Sequence, residues 1–336
     1  MARTAVAAHL ARVTELLAPL RSRGTETLPL LAALDRVTAA AIVSPIALPP
    51  FRNSQMDGFA VRASDVADAP VTLPIAREVA AAPGDPGALH PGTVIRIMTG
   101  APVPAGADAI VPVEDTTADG DAVTISRARS AGEYVREAGS DLSAGDPLLP
   151  AGVRLASRHL AALAAAGLDT VDVLEQVRVA VVSTGSELVA PGEPLGPGQI
   201  PDANGVALAG AVRAVGADLV AQGRVYDEPA TLAAVFDEAI AAGAELLLTS
   251  GGISMGDHEV VRELLEPLGA HVDVLAMQPG GPQAFATFGG VPVVCFPGNP
   301  VSTQLSFELF VAPMLREVAG LPPRRTETRR LAGAVT

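Results

Sequence analysis

Three short stretches hold most of the residues that could do chemistry: "STGSEL" (183–188), "TSGGISMGDHE" (249–259) and "PGNPVS" (297–302). Each follows an apolar run and turns through glycine. Such turns bring backbone N–H groups to a ligand, and a helix start adds partial positive charge, which suits phosphate. The candidate phosphate binders are therefore Ser183, Thr184, Gly185, Ser250, Gly251, Gly252, Pro297, Gly298, Asn299, Pro300 and Ser302. Within the last stretch Asn299 can cap a helix, Pro300 fits its first turn and Ser302 adds a hydroxyl. Glu187, Asp202, Asp257 and Glu259 lie close to these loops, and hard oxygen ligands beside phosphate suit Mg²⁺. The competing reading makes Asp257 a helix cap and Glu259 a favourable first-turn charge. His258, flanked by acids, reads as a surface residue, and the other four histidines form no ligand spacing.

The N-terminal half carries a second polar set. "LPPFRNSQMDGFAVRASD" (48–65) crowds Asn53, Ser54, Asp57 and Gly58 between apolar anchors. "RIMTGAPVPAGADAIVPVED" (96–115) puts Thr99, Gly100, Glu114 and Asp115 around turns, and "REAGSDLSAGD" (136–146) adds Arg136, Ser140 and Asp141. These residue types make good turns. They also make a polar ligand surface.

Several chemistries are excluded. The chain has no lysine, all 23 basic residues being arginine, so no Schiff-base lysine exists. One cysteine, Cys295 inside "VPVVCF", rules out a multi-thiolate metal site and an internal disulfide. A net charge of −14 argues against nucleic-acid binding. GxxxxGK[ST], GxGxxG and HExxH are all absent. "MARTAVAAHLARVTELL" lacks the apolar core of a secretory signal, and no run approaches the ~18 apolar residues of a membrane span. A cytoplasmic protein with no membrane partner is expected.

The elements that must position these loops follow from periodicity. Val6, Leu10, Val13, Leu17 and Leu20 recur at helical spacing. From Ser44 to about Pro150 the texture is rich in Pro and Gly, with short β-like runs such as "VIRIM", "AIVPV" and "AVTIS". "SRHLAALAAAGL" (157–168) reads as a helix. From about Gln176 apolar strands alternate with helices: "VRVAVV", "NGVALAGAVRAVG", "ADLVAQGRV", "PATLAAVFDEAIAAG", "AELLLT", a helix from about Asp257, "VPVVCF", and a helix from about Pro300. The expected fold class is multidomain α/β plus a β-rich N-terminal part, with a doubly wound, mostly parallel sheet. In such sheets ligands bind beyond the carboxyl ends of the strands, where all three loops fall.

Together the motifs resemble the MoeA-like molybdopterin molybdenumtransferases, relatives of the gephyrin E domain. The matching stretches are "PPFRNSQMDGFAV", "RIMTGAPVPAGADAIVPVED", "REAGSDLSAGD", "STGSEL", "TSGGISMGDHE", "MQPGGPQAF" and "FPGNPVS", in family order over about residues 45–320. The resemblance implies insertion of molybdenum from molybdate into adenylated molybdopterin, with Mg²⁺ present and AMP released. It implies a homodimer with the active cleft between subunits, and contact with other proteins of molybdenum cofactor biosynthesis. It maps the functional acids and threonine onto Asp57, Thr99, Asp141, Glu187, Asp227 and Glu259, with Glu187, Glu259 and Asp257 as metal candidates. The implied domains are 1–45 with 141–175 (linker and dimerisation), 46–140 (inserted, β-rich), 176–320 (molybdopterin-binding) and 321–336 (linker). Three departures stand out. Gln278 and Gly281 occupy two usual lysine positions, and Glu245 replaces an aspartate ahead of the SGG loop. The family's further C-terminal β domain would begin about where this chain stops, at Thr336. Two other readings follow: a binding or scaffold paralogue with weakened catalysis, and an adenylyltransferase sharing the SGG-type loop.

Overall fold

The computed structural model describes residues 3–226, 228–253, 259–328 and 330. Chain contacts divide it into two compact units. Ala41–Pro150 and Ser157–Asp169 form a β-rich unit; Met1–Ala40, Ala151–Ala156 and Thr170–Thr336 form an α/β unit.

The β-rich unit is organised by a six-stranded sheet in the order Ala109–Pro112, Gly58–Val61, Val94–Ile97, Val71–Val79, Ala122–Ile125, Thr116–Asp119. The runs "VIRIM", "AIVPV" and "AVTIS" each supply one strand. All pairings are antiparallel except that of Val71–Val79 with Val94–Ile97. Residues alternate between two apolar clusters, Ala60 and Ile95 on one side and Phe59 and Val94 on the other. Gly58 lies where backbones crowd: a Cβ there would meet the Val111 carbonyl oxygen at 2.0 Å. The helix Ser157–Ala165 belongs to this unit.

The α/β unit carries six strands: β1 (Arg178–Thr184), β2 (Asp218–Val225), β3 (Leu246–Ser250), β4 (His271–Val274), β5 (Pro282–Phe288) and β6 (Val291–Phe296). Its helices include α1 (Val6–Leu17), α2 (Ala203–Ala214), α3 (Pro229–Ala241), α4 (Val260–Leu265) and α5 (Pro300–Ser306). The sheet order is β2-β1-β3-β6-β5-β4. β2, β1, β3 and β6 are parallel; β5 and β4 add an antiparallel edge. The chain leaves β1 for one neighbour and later returns to the other. That makes the carboxyl ends of β1 and β3 the topological switch point.

Both faces of the sheet are covered, which is why its strands read as unbroken apolar runs. Val179, Val181, Leu246, Leu248 and Val294 pack with Val13 and Leu17 of α1 and Leu208 and Val212 of α2. Ala180, Val182, Leu247, Val293 and Cys295 pack with Leu232 and Phe236 of α3 and Val260 and Val261 of α4. Each fully buried aliphatic side chain contributes roughly 1.5–3 kcal/mol. Cys295 belongs to this core, and burial pushes its thiol up to about 12, so it is no nucleophile. Among the described residues no helix is long and apolar enough to cross a membrane.

The N-terminus is clamped to β4. Thr4 N–H donates to the Val274 carbonyl (2.8 Å) and its hydroxyl to Asp273 (3.0 Å). Fully buried His9 pairs Nδ1 with Asp273 Oδ2 at 3.0 Å, its ring between Phe285 and Phe310 and its Nε2 without a partner among the described residues. Burial outweighs the Asp273 bond and holds the imidazole below its usual value of 6.5. Burial would raise Asp273, but its bonds to His9 and Thr4 prevail and hold it below 3.8. Both groups bind protons more readily unfolded, so both favour the native state at neutral pH. Stability should therefore fall as the pH drops from 6.5 through the native His9 value, and again below 3.8. Thermal melts from pH 7.5 to 5 check this. His9→Gln, which does not titrate, should flatten that stretch, and an equal slope in both proteins would refute it.

Candidate functional site

Level strand ends make the site. Ser183 of β1 pairs with Ser250 of β3, and Ser250 with Phe296 of β6, so the three following loops emerge side by side. Above them opens a cavity of about 520 Å³, all of its wall from the α/β unit. The wall includes Thr184, Gly185 and Glu187 after β1, Ser250, Gly251, Gly252 and Glu259 after β3, and Pro297, Gly298, Asn299, Pro300 and Ser302 after β6.

Ser183 is a correction. It is absent from the wall; its buried hydroxyl donates to Asp202 Oδ1 at 3.0 Å. Strand alternation turns Ser183 and Thr184 to opposite faces of the sheet, and of the two buried side chains only Thr184 belongs to the wall. The N–H donors also need correcting. Gly185 N–H donates to the Val225 carbonyl (3.1 Å) and Gly251 N–H to the Phe296 carbonyl (3.0 Å). Asn299 Oδ1 accepts from Val301 N–H and Ser302 N–H (3.1 Å each) and from Ser302 Oγ (3.2 Å). Asn299 thus caps α5 and uses up the donors of its first turn. The N–H groups of Gly252 and Gly298 have no acceptor among the described residues.

The acids are distributed by unit. Glu187 is exposed on the wall, folded toward Gly185, where a Cβ would meet Glu187 Oε2 at 2.6 Å. Glu259 stands at the N-cap position of α4 yet makes no side-chain cap, so capping does not explain its carboxylate on the wall. Asp227 and Asp257 lie outside the described residues. Asp57, Thr99 and Asp141 belong to the β-rich unit. There Asp57 Oδ1 accepts from Thr99 N–H (2.6 Å) and Thr99 Oγ1 (2.7 Å), and these bonds, the N–H foremost, hold the Asp57 carboxyl below its ordinary value. Asp141 is hydrogen-bonded to Arg136, which lowers its carboxyl likewise. Thr99→Val removes one bond to Asp57, so the Asp57 pKa should rise toward 3.8 in a carbon-13 NMR titration. An unmoved value would show that the hydroxyl bond does not persist in solution.

Glu245 sits elsewhere. It precedes β3 and pairs with Arg23 (2.7 and 3.0 Å) and Arg178, at the strand end opposite the cavity. Its role is to anchor a nearly buried arginine.

Among the described residues no group of three or more His, Cys, Asp or Glu could hold a metal. Mg²⁺ typically takes one or two carboxylates and completes its shell with phosphate oxygens and water, and Glu187 and Glu259 offer that set. Among the described residues no arginine or histidine lines the cavity. An anion held here meets N–H groups and carboxylates, so a cation beside it fits the donor set.

Two wall residues tie the loops together: Asp202, which the sequence placed among the acids suited to Mg²⁺, and Asn204, which sequence reading passed over. Asp202 caps α2, with Oδ1 accepting from Gly205 N–H (2.8 Å). Asn204 Nδ2 donates to Ser250 Oγ (2.8 Å) and to the Gly298 carbonyl (2.7 Å). The available signal was the Asp-x-Asn spacing at a helix start. It reads as ordinary capping until the strand order is known.

Comparison with known proteins gives a consistent result. The family profile "MoeA N-terminal region (domain I and II)" matches residues 4–167, and "Probable molybdopterin binding domain" matches residues 180–317. Molybdopterin molybdenumtransferase 2 of Mycobacterium tuberculosis is 45% identical over 307 residues, covering 88% of this chain and 76% of its own. Molybdopterin molybdenumtransferase of a Nostoc species is 40% identical over 306 residues, covering 88% and 70%. The crystal structure of a molybdopterin biosynthesis MoeA protein from Pyrococcus horikosii superposes with a TM-score of 0.76 at 34% identity, covering 95% of this chain and 81% of that one.

Proposed function

Because this chain belongs to the MoeA family of molybdopterin molybdenumtransferases, enzymes of molybdenum cofactor biosynthesis, we propose that it inserts molybdenum from molybdate into adenylated molybdopterin and releases AMP in a Mg²⁺-dependent reaction. One observation carries this reading. A single cavity joins two carboxylates, Glu187 and Glu259, to the donor N–H groups of Gly252 and Gly298, with no cationic side chain on its wall among the described residues.

The residues divide the work. Gly252 and Gly298 donate to phosphate oxygens and fix the substrate's register. Glu187 and Glu259 would hold Mg²⁺, directly or through its waters. Mg²⁺ held there would supply charge neutralisation at the phosphoryl oxygens. Pro297 and Pro300 stiffen the turn around Gly298. In a homodimer, Asp57, Thr99 and Asp141 of one subunit would meet this cavity in the other, and Asp57, ionised at neutral pH, would face the dithiolene end. A cytoplasmic location and hand-over to other enzymes of the same biosynthesis complete the proposal.

The test supplies adenylated molybdopterin, molybdate and Mg²⁺ and follows AMP release and cofactor formation. Turnover that requires all three is expected. Tight substrate binding without molybdate-dependent turnover would overturn the proposal in favour of a binding or scaffold role, to which Gln278 and Gly281 at the usual lysine positions lend weight. ATP-dependent adenylation of free molybdopterin would identify an adenylyltransferase. Sedimentation velocity checks the dimer.

A further inference from the structure

We propose that Asn204 is the positioning residue of this cavity: its side-chain amide locks the end of β3 to the turn after β6 and so holds the Gly298 N–H in place for a phosphate. The inference rests on the phosphate-binding role proposed above for that turn.

The argument starts from one side chain with two donors and one acceptor. Asn204 opens α2, from a different loop than those it joins. Its Nδ2 spends one hydrogen on Ser250 Oγ (2.8 Å) and the other on the Gly298 carbonyl (2.7 Å). Ser250 Oγ lies 3.2 Å from Thr303 Oγ1, and Thr303 Oγ1 donates to the Pro297 carbonyl at 2.6 Å. Each hydroxyl has one proton, so the chain runs one way: Asn204 to Ser250, Ser250 to Thr303, Thr303 to Pro297. Two consecutive carbonyls of the turn, Pro297 and Gly298, are thus pinned by side chains from two other segments.

Pinning a carbonyl aims the next N–H. A trans peptide is planar, with its C=O and N–H pointing in opposite directions. The Pro297 carbonyl points at fully buried Thr303, so the Gly298 N–H points away from the interior. Gly298 lines the cavity, which is where that donor faces.

Asn204 is retained at a cost. Its Oδ1 is buried with no partner among the described residues. An unpaired buried acceptor costs about 1–3 kcal/mol. Serine or alanine would avoid the cost, but neither presents two donors to loops on both sides. The paired donors are what the position requires.

Asn204→Ala in the full chain tests this by two readouts. Deuterium exchange of the 297–303 segment should quicken, because the turn has lost a tether. KM for adenylated molybdopterin should rise roughly tenfold, the equivalent of one net hydrogen bond, with kcat changed less than about twofold. Unchanged exchange with unchanged KM would overturn the proposal, and so would a loss confined to kcat. If the wild-type chain shows no turnover while exchange still quickens in the variant, the positioning role stands and the proposed reaction fails. Should Asn204→Ala not fold, Thr303→Val removes the buried end of the same chain, with the same expectations; Thr303→Ser should restore both readouts.

Discussion

Glu187→Ala and Glu259→Ala should each lower molybdate-dependent turnover by roughly a hundredfold or more, the scale of losing several kcal/mol of charge stabilisation at a phosphoryl group. Melting should barely move. Glu187 is exposed and joins no ion pair among the described residues, and Glu259 is half-buried and makes no side-chain cap to its helix. Substitutions at such positions usually stay within about ±0.5 kcal/mol. The two effects therefore separate: chemistry is lost while the fold is kept. A titration sharpens the test, since a variant short of one ligand should need more Mg²⁺ to reach half its own maximal rate. Full activity in both variants would remove Mg²⁺ from these two residues. A large drop in melting temperature would make them structural instead.

Gly251→Ala should have the opposite signature, losing stability and turnover together. Gly251 has φ +96°, where L side chains are strained, and a Cβ there would meet the Thr184 carbonyl oxygen at 2.4 Å. A backbone oxygen cannot swing aside as a side chain does. Either β1 and β3 separate at their carboxyl ends, or the Gly251 N–H bond to Phe296 breaks. Left-handed strain and overpacking together cost about 3 kcal/mol, or roughly 6–12 °C in a domain of this size. Gly290→Ala is the control. It has φ +82° but nothing within 4 Å of its would-be Cβ, so only the backbone strain of about 1–2 kcal/mol applies. Equal shifts in the two variants would mean that crowding at the switch point is not what fixes Gly251.

Much of the fold was legible because burial on both faces leaves a simple mark. "VRVAVV", "AELLLT" and "VPVVCF" are apolar without alternation, and each became a central parallel strand. Asn299 and Pro300 marked the start of α5, and the spacing from Val6 to Leu17 marked α1. The antiparallel pair β4 and β5 went unread. "HVDV" is short and half-buried, and β5 begins at Pro282 directly after the glycines and prolines of "MQPGG", which carry no strand pattern. Strands of an edge hairpin take their identity from their partners rather than from their own composition.

The same division holds at the site. Residue types alone determined which loops carry donors and acids: Gly252, Gly298, Glu187 and Glu259 all stand on one wall. Only the tertiary structure decided which groups remain for a ligand. It turned Ser183 beneath the wall to Asp202 and spent the Gly251 N–H on Phe296. It carried Glu245 to the far end of β3 and brought Asn204 between two loops that lie 46 and 94 residues away. The physical reason is that a polar group's propensity is local, while its hydrogen-bond partner is chosen among all the groups that folding brings within about 3 Å.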